Sequence, residues 1–167
     1  MADVLDASYV ELDAIFHQPD WIDLKREEFQ RRVKEVVQGD RWVIDGNYSA
    51  VWDIVWGRAD TVVWLDPPYW RVMTRVIRRT LRRVIMRTEL WNGNREPLSN
   101  LYSFNPQKSI IAWSAAHFGT YRERYGLAPH DPRWSGLRFV RLATRAEARD
   151  FLQQSATRQG GQSWISK

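Results

Sequence analysis

Four consecutive residues, Asp45-Gly46-Asn47-Tyr48, have the types and order best suited to chemistry. They follow the apolar run Trp42-Val43-Ile44. A carboxylate at a strand end, beside a glycine that lets a ligand come close, suits a water-bridged Mg²⁺ or a nucleotide. The tetrapeptide equally suits an aspartate that caps the next turn. Asp13 closes the earlier stretch Tyr9-Val10-Glu11-Leu12 and is expected on the same rim as Asp45. Asp66 closes Thr61-Val62-Val63-Trp64-Leu65 ahead of Pro67 and Pro68, where turn chemistry alone accounts for it. His17, His117 and His130 have no partner at ligand spacing, which favours surface or core roles over metal binding. The chain has no cysteine, so disulfides and thiolate metal sites are excluded.

A second group is cationic. Eight arginines and one acid, Glu89, lie between Arg71 and Arg95. Guanidinium groups bind phosphates bidentately and keep their charge. Arg71, Arg75, Arg78, Arg79 and Arg82 share one helical stripe, which reads as a solvated face or as a surface for nucleic acid. Arg82, Arg83, Arg87 and Arg95 border a polar, turn-rich stretch and are the better candidates for gripping a phosphate chain.

The elements that must position these groups can be read from periodicity. Short β-branched or aromatic runs at 9–12, 42–45, 61–65 and 137–142 suit strands, and those ending on aspartate suit strands buried on both faces. Helical patterns fall between them. One runs from a cap at Asp23 to Gln38, a short one follows Ser49, and a long one covers Tyr69 to Met86. Another spans Ser109 to Tyr125. A last one is opened by the capping box of Thr144 and Glu147 and runs to Gln153. Strands alternating with helices specify an α/β architecture: a mostly parallel sheet with flanking helices. Ligands in such sheets bind beyond the carboxyl ends of the strands.

A chain of 167 residues with 44% hydrophobic content fits one domain. That domain is expected over 1–154, with a lid-like segment at 87–107 and a flexible tail at 155–167. Core packing is expected to absorb most of the ten tryptophans. No run approaches membrane-spanning length and no signal pattern opens the chain, so a cytoplasmic protein with no membrane partner is expected. The net charge of +5 rests mainly on arginine, and its distribution says more than its total.

The order of pieces resembles the adenylate-kinase-like P-loop proteins of bacteria, some of which are described as topology-modulation proteins. The pieces are Tyr9-Val10-Glu11-Leu12-Asp13, the segment 42–49, the segment 59–66, the arginine helix, the segment 89–96 and Tyr121-Arg122-Glu123-Arg124-Tyr125. The resemblance implies a nucleoside-kinase-like fold with ATP and Mg²⁺ at the strand ends and phosphoryl transfer to a small acceptor, a nucleotide among the candidates. It implies that Asp45 helps hold Mg²⁺, through water, and that Asp13 faces the acceptor. Gly46, Asn47, Arg82 and Arg83 then belong to the substrate site, and Arg87, Arg95 and Arg122 supply phosphate-binding arginines by region. One departure is large. The family begins with a strand and G-x-x-x-x-G-K-[ST], whose backbone N–H groups and lysine cradle the phosphates. This sequence has no Gly-Lys dipeptide, and its four lysines lie outside any glycine-rich turn. The expectation is a family member lacking its first strand and P-loop, inactive in phosphoryl transfer as it stands. The alternative is a non-catalytic protein that binds nucleic acid or another polyanion through the arginine helix.

Overall fold

The computed structural model describes residues 1–162. Four short strands form: β1 (Ser8–Glu11), β2 (Trp42–Asp45), β3 (Thr61–Leu65) and β4 (Arg138–Leu142). Helices separate them: α1 (Ala2–Leu5) before β1, then α2 (Leu12–Phe16) and α3 (Arg26–Val36), then α4 (Trp52–Trp56). Between β3 and β4 lie α5 (Tyr69–Ile85), α6 (Ser99–Tyr102) and α7 (Ile110–Leu127), and α8 (Arg145–Gln162) follows β4. The chain is therefore α/β with parallel pairing. The expected tail is helical in α8 as far as residue 162, and residues 163–167 lie outside the described residues.

One feature of the expected sheet is corrected. The strands make two separate two-stranded sheets, β1–β2 and β3–β4, each parallel. No ladder joins β2 to β3. Main-chain bonding needs strands about 4.8 Å apart, whereas these pairs are held together by side chains. Trp42 and Ile44 of β2, Val62 of β3 and Phe139 of β4 all pack on one core, built from Leu12, Phe29, Val33, Val37, Val51, Val55, Trp56, Ala128 and Trp134. The period-2 alternation of the strands supplies these inward residues. Phe29 and Val33 of α3 are fully buried, each worth about 1.5–3 kcal/mol of hydrophobic stabilisation. Tryptophans help fill this core: Trp52 stacks on Trp56 at 4.2 Å, and Trp56 meets Trp134 and Phe139 edge-on.

Helix starts follow local chemistry only in part. Ser109 caps α7, its side chain accepting from the Ala112 N–H. At α8 the Thr144 hydroxyl accepts from the Glu147 N–H at 3.1 Å, and the Glu147 carboxylate accepts from the Ala143 N–H at 2.7 Å. Asp23 does not cap α3, because that helix begins later, with Lys25 at its N-cap position, and the Asp23 carboxylate is bound to His17.

Candidate functional site

The parallel register of β1 and β2 sets Glu11 directly beside Asp45 at their carboxyl ends. Tyr9 lies two residues before Glu11 on the same face of β1. Its hydroxyl is 3.1 Å from Glu11 Oε1 and 3.2 Å from Asp45 Oδ2, so one proton is shared between two carboxylates. Desolvation, then the bond to Glu11, then the Asp45 and Glu11 charges push the Tyr9 phenol up to about 12. The Trp91 indole N–H donates to the other Glu11 oxygen. Asp45 itself is exposed, and among the described residues its Oδ1 carries no hydrogen bond. Gly46 follows at φ 142°, and a Cβ there would lie 2.6 Å from Leu12 Cβ. Glycine therefore lets the end of β2 close over the core residue Leu12.

Asp13 sits in α2, one residue past Leu12. Its Oδ1 accepts from the Tyr48 hydroxyl at 2.6 Å. The same hydroxyl is 3.4 Å from His17 Nε2, and His17 Nδ1 is 3.1 Å from Asp23 Oδ1. Asp23, His17, Tyr48 and Asp13 thus form a file of carboxylate, imidazole, phenol and carboxylate. Burial first, and the bond to Asp13 second, hold Tyr48 well above the usual phenol range. It stays a donor at neutral pH and fixes the Asp13 carboxylate in place. His17 is wedged among Phe16, Trp21 and Trp91. His17 therefore takes a packed, hydrogen-bonded role, with partners from residues 23 and 48 that no ligand spacing in the sequence connects.

Of the arginines, Arg83 reaches this rim, and Arg79 is exposed on α5. Arg79 has no hydrogen bond or ion pair among the described residues. Surrounding protein, then the Arg83 charge, push its pKa down, while Glu96 and Asp13 pull it back. Arg83 donates to Glu96 Oε1 at 3.2 Å and lies 5.9 Å from the centre of the Trp91 ring. Arg82 is exposed and donates to Met86 Sδ. Arg87 is exposed at φ 48°. Arg95 lies 3.9 Å from Glu89. Arg122 is elsewhere, at the carboxyl end of β3, where it and Arg141 grip the buried Asp66.

Residues 91–96 are docked against residues 11–21. Asn94 accepts from the Trp21 N–H and donates to the Gln18 carbonyl, both at 2.9 Å. The Trp21 indole donates to the Arg95 carbonyl, and Asn92 donates to the Ala14 and His17 carbonyls. On the other side of Asp45, Asn47 Oδ1 accepts from the Tyr125 hydroxyl at 2.7 Å. Burial, then Tyr121, push Tyr125 up to about 12, so this donor too keeps its proton at neutral pH.

Mg²⁺ is bound in many sites by one or two carboxylates, waters and a ligand phosphate. The exposed Asp45 carboxylate, with Oδ1 unspent, fits that role. No group of three or more His, Asp or Glu side chains among the described residues could hold a metal ion, and Mg²⁺ bound in this way needs none. A nucleoside triphosphate fits less well. Its phosphates need consecutive backbone N–H groups in a glycine-rich turn with a lysine, and the sequence contains no such turn. Of the residues singled out in the sequence, Asp13, Asp45 and Arg83 come together here, while Arg82 turns to Met86 instead. Tyr9, Glu11, His17 and Trp91 were not singled out for this rim. For Tyr9 and Glu11 the signal was available, since i, i+2 spacing places both on one strand face.

No helix among the described residues is long and apolar enough to cross a membrane. No protein-family model, curated protein or solved structure matches this chain.

Proposed function

We propose that this chain is a nucleotide-kinase-like protein whose β1–β2 rim receives Mg²⁺ and a small phosphorylated acceptor. In this reading Asp45 holds Mg²⁺ through water. Asp13, fixed by Tyr48, accepts a hydrogen bond from the acceptor's hydroxyl. Arg79 and Arg83 neutralise its phosphate, with Arg82, Arg87 and Arg95 further out. In such chemistry positioning and charge neutralisation do most of the work. The observation that supports the reading best is the pairing of Glu11 with Asp45 at the carboxyl ends of parallel strands, with Arg83 beside Trp91, whose indole donates to Glu11. ATP as phosphoryl donor comes from the resemblance alone, and residues 1–167 on their own are expected not to turn it over.

A second reading rests on α5. That helix has no acidic residue between Tyr69 and Ile85, and Arg75, Arg78 and Arg82 are exposed. Such a face suits a polyanion, nucleic acid included.

Amide NMR titration separates the two. With Mg²⁺ and a nucleoside monophosphate, the first reading expects saturable shifts at Gly46, Asn47 and the Arg79 and Arg83 side chains. Asp13→Asn should weaken that binding at least tenfold, about 1.4 kcal/mol. Mg-ATP without acceptor should give no saturable binding at micromolar concentration. Shifts confined to Arg75, Arg78 and Arg82, with affinity for single-stranded nucleic acid falling steeply as salt rises, would select the second reading.

A further inference from the structure

A cavity of about 460 Å³ opens beside the carboxyl half of β3 and β4. Its walls include Trp64, Tyr125, Pro129 and Phe139, and its charged lining is Arg122 and Arg141. That volume lies within the range of small-molecule sites, which are mostly apolar with a few placed polar groups.

The two arginines are held from behind. Asp66, just past β3, is anchored by its backbone N–H to the Leu142 carbonyl at 2.9 Å. Its side chain is only 3% exposed. Oδ2 accepts from Arg141, through Nε at 2.7 Å and through Nη2. Oδ1 lies 3.3 Å from Arg122 Nε. A buried carboxylate must be paired to be tolerated, and the pairing takes one edge of each guanidinium. The arginine side chains remain 53% and 54% exposed, so their other N–H groups are open to solvent. Arg141 also lies 5.1 Å from the centre of the Trp64 ring, and Trp64 stacks on Tyr125 at 5.8 Å. The Tyr125 hydroxyl is tied to Asn47, so this aromatic wall is fixed at both ends.

Two guanidiniums and one carboxylate leave one net positive charge. One negative charge on a ligand complements that, and a planar ring matches the wall. Planar carboxylates are also what the guanidinium fork recognises bidentately.

We infer that this cavity binds a small aromatic monocarboxylate, its acid group on the free N–H edges of Arg122 and Arg141 and its ring against Trp64 and Tyr125. The site stands apart from the β1–β2 rim and does not depend on the phosphotransfer reading.

The test is an NMR titration of residues 1–167 with indole-3-carboxylate, followed at the Trp64 indole N–H, which Trp64→Phe assigns. Indole and inorganic phosphate serve as comparators. The acid should bind saturably and move the Trp64 signal, while neither comparator moves it at equal concentration. Arg122→Gln should weaken binding at least tenfold, and Lys34→Gln, exposed on α3, should leave it unchanged. If Arg122→Gln disturbs the fold, Arg122→Lys keeps the charge, loses the fork and should lose the affinity. The inference is overturned by no saturable shift through the millimolar range, or by equal binding of indole. Equal binding of phosphate, or full affinity in the variant that folds, would overturn it as well. Failure here leaves the Gly46 and Arg83 readouts of the rim untouched, so the two ideas fail separately.

Discussion

The position of Asp45 at the end of β2 depends on its neighbour. Gly46 takes φ 142° and lies where a Cβ would meet Leu12 Cβ at 2.6 Å. Leu12 is a core residue with 3% exposure, so it has no room to give way. Gly46→Ala should therefore cost both backbone strain and overpacking, about 1–3 kcal/mol from overpacking alone. Urea unfolding followed by circular dichroism measures it, and an unchanged midpoint would show that the end of β2 is looser than described. Single residues were legible where their meaning is local. The strand-end aspartate Asp45 announces itself through an apolar run followed by turn residues, whereas Asp13, read the same way, lies in the first turn of α2 because β1 already ends at Glu11. His17 does not announce its role, because Asp23 and Tyr48 reach it only after the chain has folded. Asp66 illustrates the same limit. Beside two prolines it reads as turn chemistry, yet Arg122 and Arg141 converge on it from α7 and β4.

Among the elements, β2 and β3 end where their apolar runs end, at Asp45 and Leu65. α5 runs to Ile85, within a residue of its periodic pattern. Local signals sufficed because each boundary is a change of periodicity. Asp23 shows where they fail. A capping residue and a partner for His17 look identical in sequence, and tertiary pairing decided between them. The segment 87–107 was read from its polarity and its Pro97. Its middle is tied to α2 and the following turn through polar side chains, Asn94 above all. Asn94 is 4% exposed and serves both the Trp21 N–H and the Gln18 carbonyl. Asn94→Ala leaves two backbone groups unpaired, a loss of about 1–3 kcal/mol if they stay buried. The Trp21 amide should exchange with solvent at least tenfold faster, while β4 amides keep their protection. Unchanged exchange at Trp21 would mean that other contacts hold this segment down.

At the scale of the whole molecule, the α/β class and the parallel pairing follow from the alternation of strands and helices. Strand neighbours did not follow. Periodicity states which face of a strand is buried but not which edge meets which, and here β1 and β2 pair apart from β3 and β4. What unites the halves is the aromatic core around Trp56, the polar contacts of residues 91–95 with residues 11–21, and the hydrogen bond from Tyr125 to Asn47. That last bond ties the wall of the arginine-lined cavity to the 45–47 turn, whose first residue, Asp45, pairs with Glu11 at the acidic rim. A molecule so arranged centres on Asp45, and the proposed metal and acceptor chemistry depends on it. Paramagnetic relaxation by Mn²⁺, standing in for Mg²⁺, tests this most directly. The amide signals of Gly46 and Asn47 should broaden first, excess Mg²⁺ should restore them, and Asp45→Asn should abolish the effect while leaving the spectrum folded. Broadening centred elsewhere, or persisting in Asp45→Asn, would contradict a metal site at this rim.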